Sequence, residues 1–210
     1  MMTPRAGPPM ADRPKQTDRP LKIALVEESP IRAAILEDGL REAGHADILR
    51  IADRANLLER IYAIDPDVIL IGLANPSRDV LEQMFQMSRA VRRPVGMFVD
   101  QTDTSSIEAA IDAGVSAYVV DGLKKERVKP ILDTMVSRFN AFSRLRNELD
   151  QAKSQLEERK VVDRAKGILV RQKSIGEEQA YALLRTVAMN EKKKISEIAQ
   201  AVVTAAELLK

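Results

Sequence analysis

The chain has 210 residues, 45% of them hydrophobic and only 3% aromatic, with no Cys and no Trp. That length and composition allow one large domain or two small ones built on Leu, Ile, Val, Ala and Met. The lack of Cys excludes disulfides, thiolate metal sites and Cys nucleophiles and accords with a reducing, cytoplasmic setting.

The formal net charge of +2 is unevenly spread. Residues 21–135 hold 14 Lys+Arg against 19 Asp+Glu, whereas residues 136–210 hold 15 against 10. A weakly acidic body joined to a basic C-terminal part is the pattern of a regulatory module on a polyanion-binding module, although chance gives imbalances of this size equally well.

Residues 1–20, with Pro4, Pro8, Pro9, Pro14 and Pro20 and no apolar core, read as a disordered lead-in and not a signal peptide, and Met10 is a candidate start. From Leu21 strands and helices alternate. KIALV (22–26) is a strand, residues 30–43 have helical apolar spacing, and ADILRIA (46–52) is a second strand. Leu57, Leu58, Ile61 and Ile64 mark a helix. VILIG (68–72) is the third strand, residues 80–91 a helix, and PVGMFV (94–99) the fourth strand. A helix over 106–113 stopped by Gly114, then SAYVV (116–120), completes five strands. This predicts a doubly wound, five-stranded parallel sheet of flavodoxin-like order over residues 21–135. His45 is expected to be a surface loop residue.

Beyond Asp121-Gly122 the character changes. Met135, Phe142, Leu149 and Leu156 recur every seven residues, with Leu145 and Ala152 at the offset of three. That is a coiled-coil seam, placing a dimerisation helix at 136–160; a lone amphipathic helix on the first domain is the alternative. Residues 161–210 read as a small all-α domain of three helices, the second opened by a capping box at Ser174 and Glu177. No apolar run reaches 18 residues, so no membrane helix is expected.

Several segments resemble known families. Glu27-Glu28 after the first strand, the 66–79 loop with Asn75-Pro76 and Asp79, and Ala113-Gly114 before Tyr118 resemble the receiver domain of response regulators. Ala165-Lys166-Gly167-Ile168-Leu169, Glu178, Ala180-Tyr181, Leu184-Arg185, Ala188-Met189 and Ile198-Ala199 resemble the ANTAR domain, an RNA-binding antitermination module. The combined order is similar to the nitrate-assimilation antiterminators of the NasT type. That resemblance implies leader-mRNA hairpins as targets. It also implies a nitrate/nitrite-sensor partner of periplasmic-binding-protein type.

The receiver pattern is broken where its chemistry sits. The resemblance implies an acceptor Asp at the third strand's end, Ser or Thr at the fourth's and Lys-Pro after the fifth. The chain has Gly72, Val99 and Asp121-Gly122. Gly72 cannot attack a phosphoryl group, and Asp121 would repel one. A pseudo-receiver without a phosphoacceptor is therefore expected. Glu27, Glu28, Asp100 and Asp121 form a degenerate acidic pocket, read as solvated carboxylates with a hard cation as the alternative; no metal and no cofactor are expected.

Lys160, Arg164, Lys166 and Arg171 fall along one helix, and Arg185 and Lys192-Lys193-Lys194 add charge from the elements that follow. These are the expected RNA-binding residues. Tyr181 is read as core, with base stacking as the alternative. Gly167 costs about 1 kcal/mol in mid-helix, explained first by a close helix neighbour and second by RNA. No phosphate loop, Ser/His/Asp set or metal-ligand spacing supports an enzyme. The rival readings are a protein-interaction module and a DNA-binding response regulator.

Overall fold

In the computed structural model, which describes residues 20–121 and 123–208, two compact units divide the chain between Ser143 and Arg144. The expected lead-in over residues 1–20 lies outside the described residues apart from Pro20.

The first unit holds five strands: β1 (Ile23–Val26), β2 (Ile48–Ile51), β3 (Val68–Leu73), β4 (Val95–Val99) and β5 (Ala117–Val120). They are parallel and ordered β2-β1-β3-β4-β5, the doubly wound arrangement expected. Helices α1 (Pro30–Glu42), α2 (Leu57–Ile64), α3 (Arg78–Ala90) and α4 (Thr104–Asp112) make the crossovers. Their starts are set by local chemistry. Ser29 accepts from the Arg32 amide before Pro30 at the first helical turn. Ser77 and Asp103 cap α3 and α4 in the same way.

Strand parity sorts the core into two layers. Ala24, Val26, Ile69, Ile71, Val95 and Met97 meet α2, α3 and α4 on one face. Ile23, Leu25, Val68, Leu70 and Phe98 meet α1 and the start of α5 (Lys125–Lys173) on the other.

Helix α5 corrects one expected boundary and one expected seam residue. It runs unbroken through residue 136. Its first turns belong to the α/β unit, where Val128, Leu132, Met135 and Val136 are buried. Met135 is fully buried and packs where a Cβ at Gly96 would lie 2.5 Å from its sulfur. Burial of such a side chain is worth roughly 1.5–3 kcal/mol, so Met135 serves this core and not a helix seam. The heptad period continued into the α/β unit because a core-facing stripe and a coiled-coil seam share the same spacing.

His45 is a second correction. It is buried, and its Nδ1 accepts from the Leu21 amide at 3.2 Å. Burial pushes its pKa down; Asp133 opposes this and Lys129 adds to it.

The second unit packs the later part of α5 with α6 (Glu177–Glu191) and α7 (Ile195–Leu208). Ala165, Leu169, Ala180, Leu184, Ala188, Ile198, Ala199 and Val203 form its core. The start of α6 lies later than the capping-box reading placed it. Gly176 is the cap, its amide donating to Gln179 Oε1 at 3.2 Å, while Ser174 sits in the turn at φ 52°.

Candidate functional site

Parity places Glu27 and Gly72 side by side. Val26 pairs with Ile71, so the next residues of β1 and β3 fall on the face covered by α1. Glu27 is buried, and a Cβ at Gly72 would overlap its Oε2 and lie 2.9 Å from its Cδ. The carboxylate thus occupies the volume of a side chain at 72.

The neighbour that sequence reasoning missed is Arg32, on the first turn of α1. Its Nε donates to Glu27 Oε2 at 3.0 Å, Nη1 to Asp100 Oδ1, and Nη2 to the Phe98 carbonyl at 3.3 Å. Glu27 Oε1 accepts from the Ser29 amide at 2.9 Å. Burial on its own would lower the Arg32 pKa, but hydrogen bonds and charge from Asp100 and Glu27 outweigh it and raise the value. The signal was a spacing: five residues after Glu27 brings a helical side chain back over the end of β1.

The expected four-carboxylate pocket therefore does not assemble. Glu27 and Asp100 share Arg32, whereas Glu28 turns to Arg54 at 3.0 Å and its carbonyl accepts from Arg50 at 3.1 Å. Asp121 is exposed at φ 47°. Among the described residues no group of three or more His, Cys, Asp or Glu is placed to hold a metal. The hard cation that was the alternative reading of this pocket does not fit the donor set, because a guanidinium stands among its carboxylates.

In the second unit, Arg159, Lys166, Tyr181, Lys193 and Lys194 line one groove together with Val162, Ile195 and the carboxylates of Glu158 and Asp163. Tyr181 is 44% exposed, which corrects its reading as core. Helix α6 buries Ala180, Leu184 and Ala188, and the next position along falls at the edge of that stripe.

The cations differ in how free they are. Lys166 is only 16% exposed and bridges Asp163 at 2.8 Å and Glu177 at 2.7 Å, tying α5 to α6. The hydrogen bonds that Lys166 donates to Asp163 and then Glu177 raise its pKa. Lys160, Lys193 and Lys194 have exposed partners in Glu157, Glu191 and Glu158, and Arg164 reaches Glu207 at 3.8 Å. Arg159, Arg171, Arg185 and Lys192 are exposed and make no ion pair among the described residues.

Gly167 has nothing within 4 Å of the position its Cβ would take, so no helix approaches it closely. Lys160, Arg164, Gly167 and Arg171 share one face of α5 by spacing, with the glycine as a bare gap among cations. Farther up the same helix Phe142, Leu145, Leu149 and Leu156 are 53–64% exposed, and Ala152 is exposed between them.

Residues 150–203 match the ANTAR domain. Over 183 residues the chain is 25% identical to the transcriptional regulatory protein PdtaR of Mycobacterium tuberculosis, spanning 87% of this chain and 89% of that one. It is 34% identical over 76 residues to the nitrate regulatory protein of Klebsiella oxytoca, a stretch covering 36% of this chain and 19% of that protein. The fold is similar to the signal receiver domain of a modulated diguanylate cyclase from Desulfovibrio desulfuricans, at a TM-score of 0.50 and 14% identity over 59% of this chain and 98% of that one. An α/β unit of receiver-like fold is thus followed by a segment, residues 150–203, that matches the ANTAR domain.

Proposed function

We propose that the chain binds hairpins of a leader mRNA through its C-terminal unit and so prevents a terminator from forming. The observation that carries this is the groove in which Tyr181 stands among Arg159, Lys193 and Lys194. Cations beside an aromatic face suit an unpaired loop base: the ring stacks on the base and the cations neutralise its phosphates. Arg164, Arg171, Arg185 and Lys192 extend the positive surface, and Gly167 lets an RNA backbone come close to α5. Lys166 acts here by holding α5 to α6.

The protein works as a homodimer. The exposed stripe from Phe142 to Leu156 has heptad spacing, and pairing with a second copy would bury it. Input comes through a partner and not through a phosphate at residue 72, because Gly72 offers no nucleophile. The similarity to a nitrate regulatory protein supports nitrate/nitrite assimilation genes as targets. The resemblance to nitrate-assimilation antiterminators implies a nitrate/nitrite sensor of periplasmic-binding-protein type as the partner.

The test is salt-dependent binding of the full-length protein to a two-hairpin leader RNA and to duplex DNA, without a phosphodonor. Strong preference for RNA supports the reading. Preference for duplex DNA would make the chain a DNA-binding regulator, and indifference to both would leave protein interaction as its role.

A further inference from the structure

Every polar atom of the Glu27 carboxylate is engaged from within the α/β unit. Oε1 takes the Ser29 amide and Oε2 takes Arg32. The same guanidinium reaches Asp100 at the end of β4 and the Phe98 carbonyl. Glu27 is 3% exposed and the Arg32 side chain 14%.

A buried carboxylate is costly unless paired, and Arg has the fork to pair two acceptors at once. A hard divalent cation would need these same oxygens within about 2.0–2.6 Å, so it could enter only by expelling Arg32. The guanidinium keeps its proton at any physiological pH and is tethered, so it never dilutes away.

We propose that Arg32 is a resident cation standing in for a divalent metal. Glu27 fills the volume of the missing acceptor side chain. The α/β unit is thereby held in one state that neither divalent cations nor phosphoryl donors address, and a cation site lies latent under the guanidinium. This is independent of the RNA-binding reading, since it concerns the other unit and is read without RNA.

The experiment is thermal unfolding of the full-length protein titrated with MgCl2 or MnCl2 against NaCl of equal ionic strength, with electron paramagnetic resonance of free Mn2+ alongside. Wild type is expected to show no specific shift and to leave the Mn2+ signal intact. Arg32→Met strands the buried Glu27 carboxylate and takes the cation away from the half-exposed Asp100. It is expected to melt at least about 4 °C lower and to recover saturably with Mn2+. Glu27→Gln/Arg32→Met removes the buried charge and is expected to fold with no Mn2+ response, even if Arg32→Met alone does not fold.

Saturable Mn2+ binding by wild type overturns the proposal. So does an Arg32→Met variant that is as stable as wild type and blind to Mn2+. Failure of the double variant to fold would overturn it too.

Discussion

The Glu27 carboxylate fills the space that a side chain at Gly72 would need, and Arg32 keeps it there. A Cβ at 72 must push Glu27 aside and break its hydrogen bonds to Arg32 and Ser29. Gly72→Ala should therefore destabilise the unit by about 1–3 kcal/mol, the usual cost of stranding a buried polar group. The penalty should shrink in a Glu27→Ala background, where the space is open. Chemical denaturation of the two single variants and the double variant measures the coupling; strict additivity would mean the two residues do not share that volume.

The lower half of this relationship was legible in the sequence. A glycine at the end of VILIG shows that the acceptor is gone, and strand alternation gives the five-stranded sheet without further help. What replaced the acceptor was not legible. Arg32 reads as one exposed helix residue among many until β1, α1 and β4 converge. Met135 and Tyr181 failed for a related reason. A seven-residue period does not say which surface a helix meets, and an aromatic beside a core stripe can fall on either side of its edge. The cations were legible as a set, but only the fold separates the bridging Lys166 from Arg171, which makes no ion pair among the described residues.

The groove predicts two classes of lysine. Lys193→Ala and Lys194→Ala should keep the fold, weaken RNA binding and reduce the salt slope by about 0.7–0.9 for each phosphate no longer neutralised. Lys166→Ala should lower thermal stability as well, because it frees Asp163 and Glu177. Tyr181→Ala should cost about 1–3 kcal/mol of RNA affinity with little change in melting. Equal affinity for Tyr181→Ala and wild type would take the ring out of the interface.

Gly167 offers a sign test. Alanine meets no neighbour there and is the better helix former by about 0.8–1.0 kcal/mol. Gly167→Ala should make the protein more stable and the RNA complex weaker. A variant gaining stability with unchanged affinity would show that the gap on α5 does not touch RNA.

The stripe from Phe142 to Leu156 predicts that Leu149→Glu yields monomers. Sedimentation equilibrium of wild type and variant decides this, and the α/β unit should melt unchanged because Leu149 lies outside its core. Wild type that stays monomeric at high concentration would leave the stripe without its expected partner.

His45 predicts the acid limb of stability. Its pKa is lowered in the folded protein, first by burial, with Asp133 pulling the other way. The unfolded chain therefore binds the proton more readily. The His45 contribution is present above its ordinary pKa, near 6.5, and is lost as pH falls through the lower folded value. Protonation also turns Nδ1 from an acceptor into a donor facing the Leu21 amide, which breaks that hydrogen bond. Unfolding followed from about pH 7.5 down to about pH 5 should show stability falling for wild type. His45→Asn should be less stable at neutral pH and flatter across the range. An unchanged slope in the variant would show that His45 does not set the acid limb.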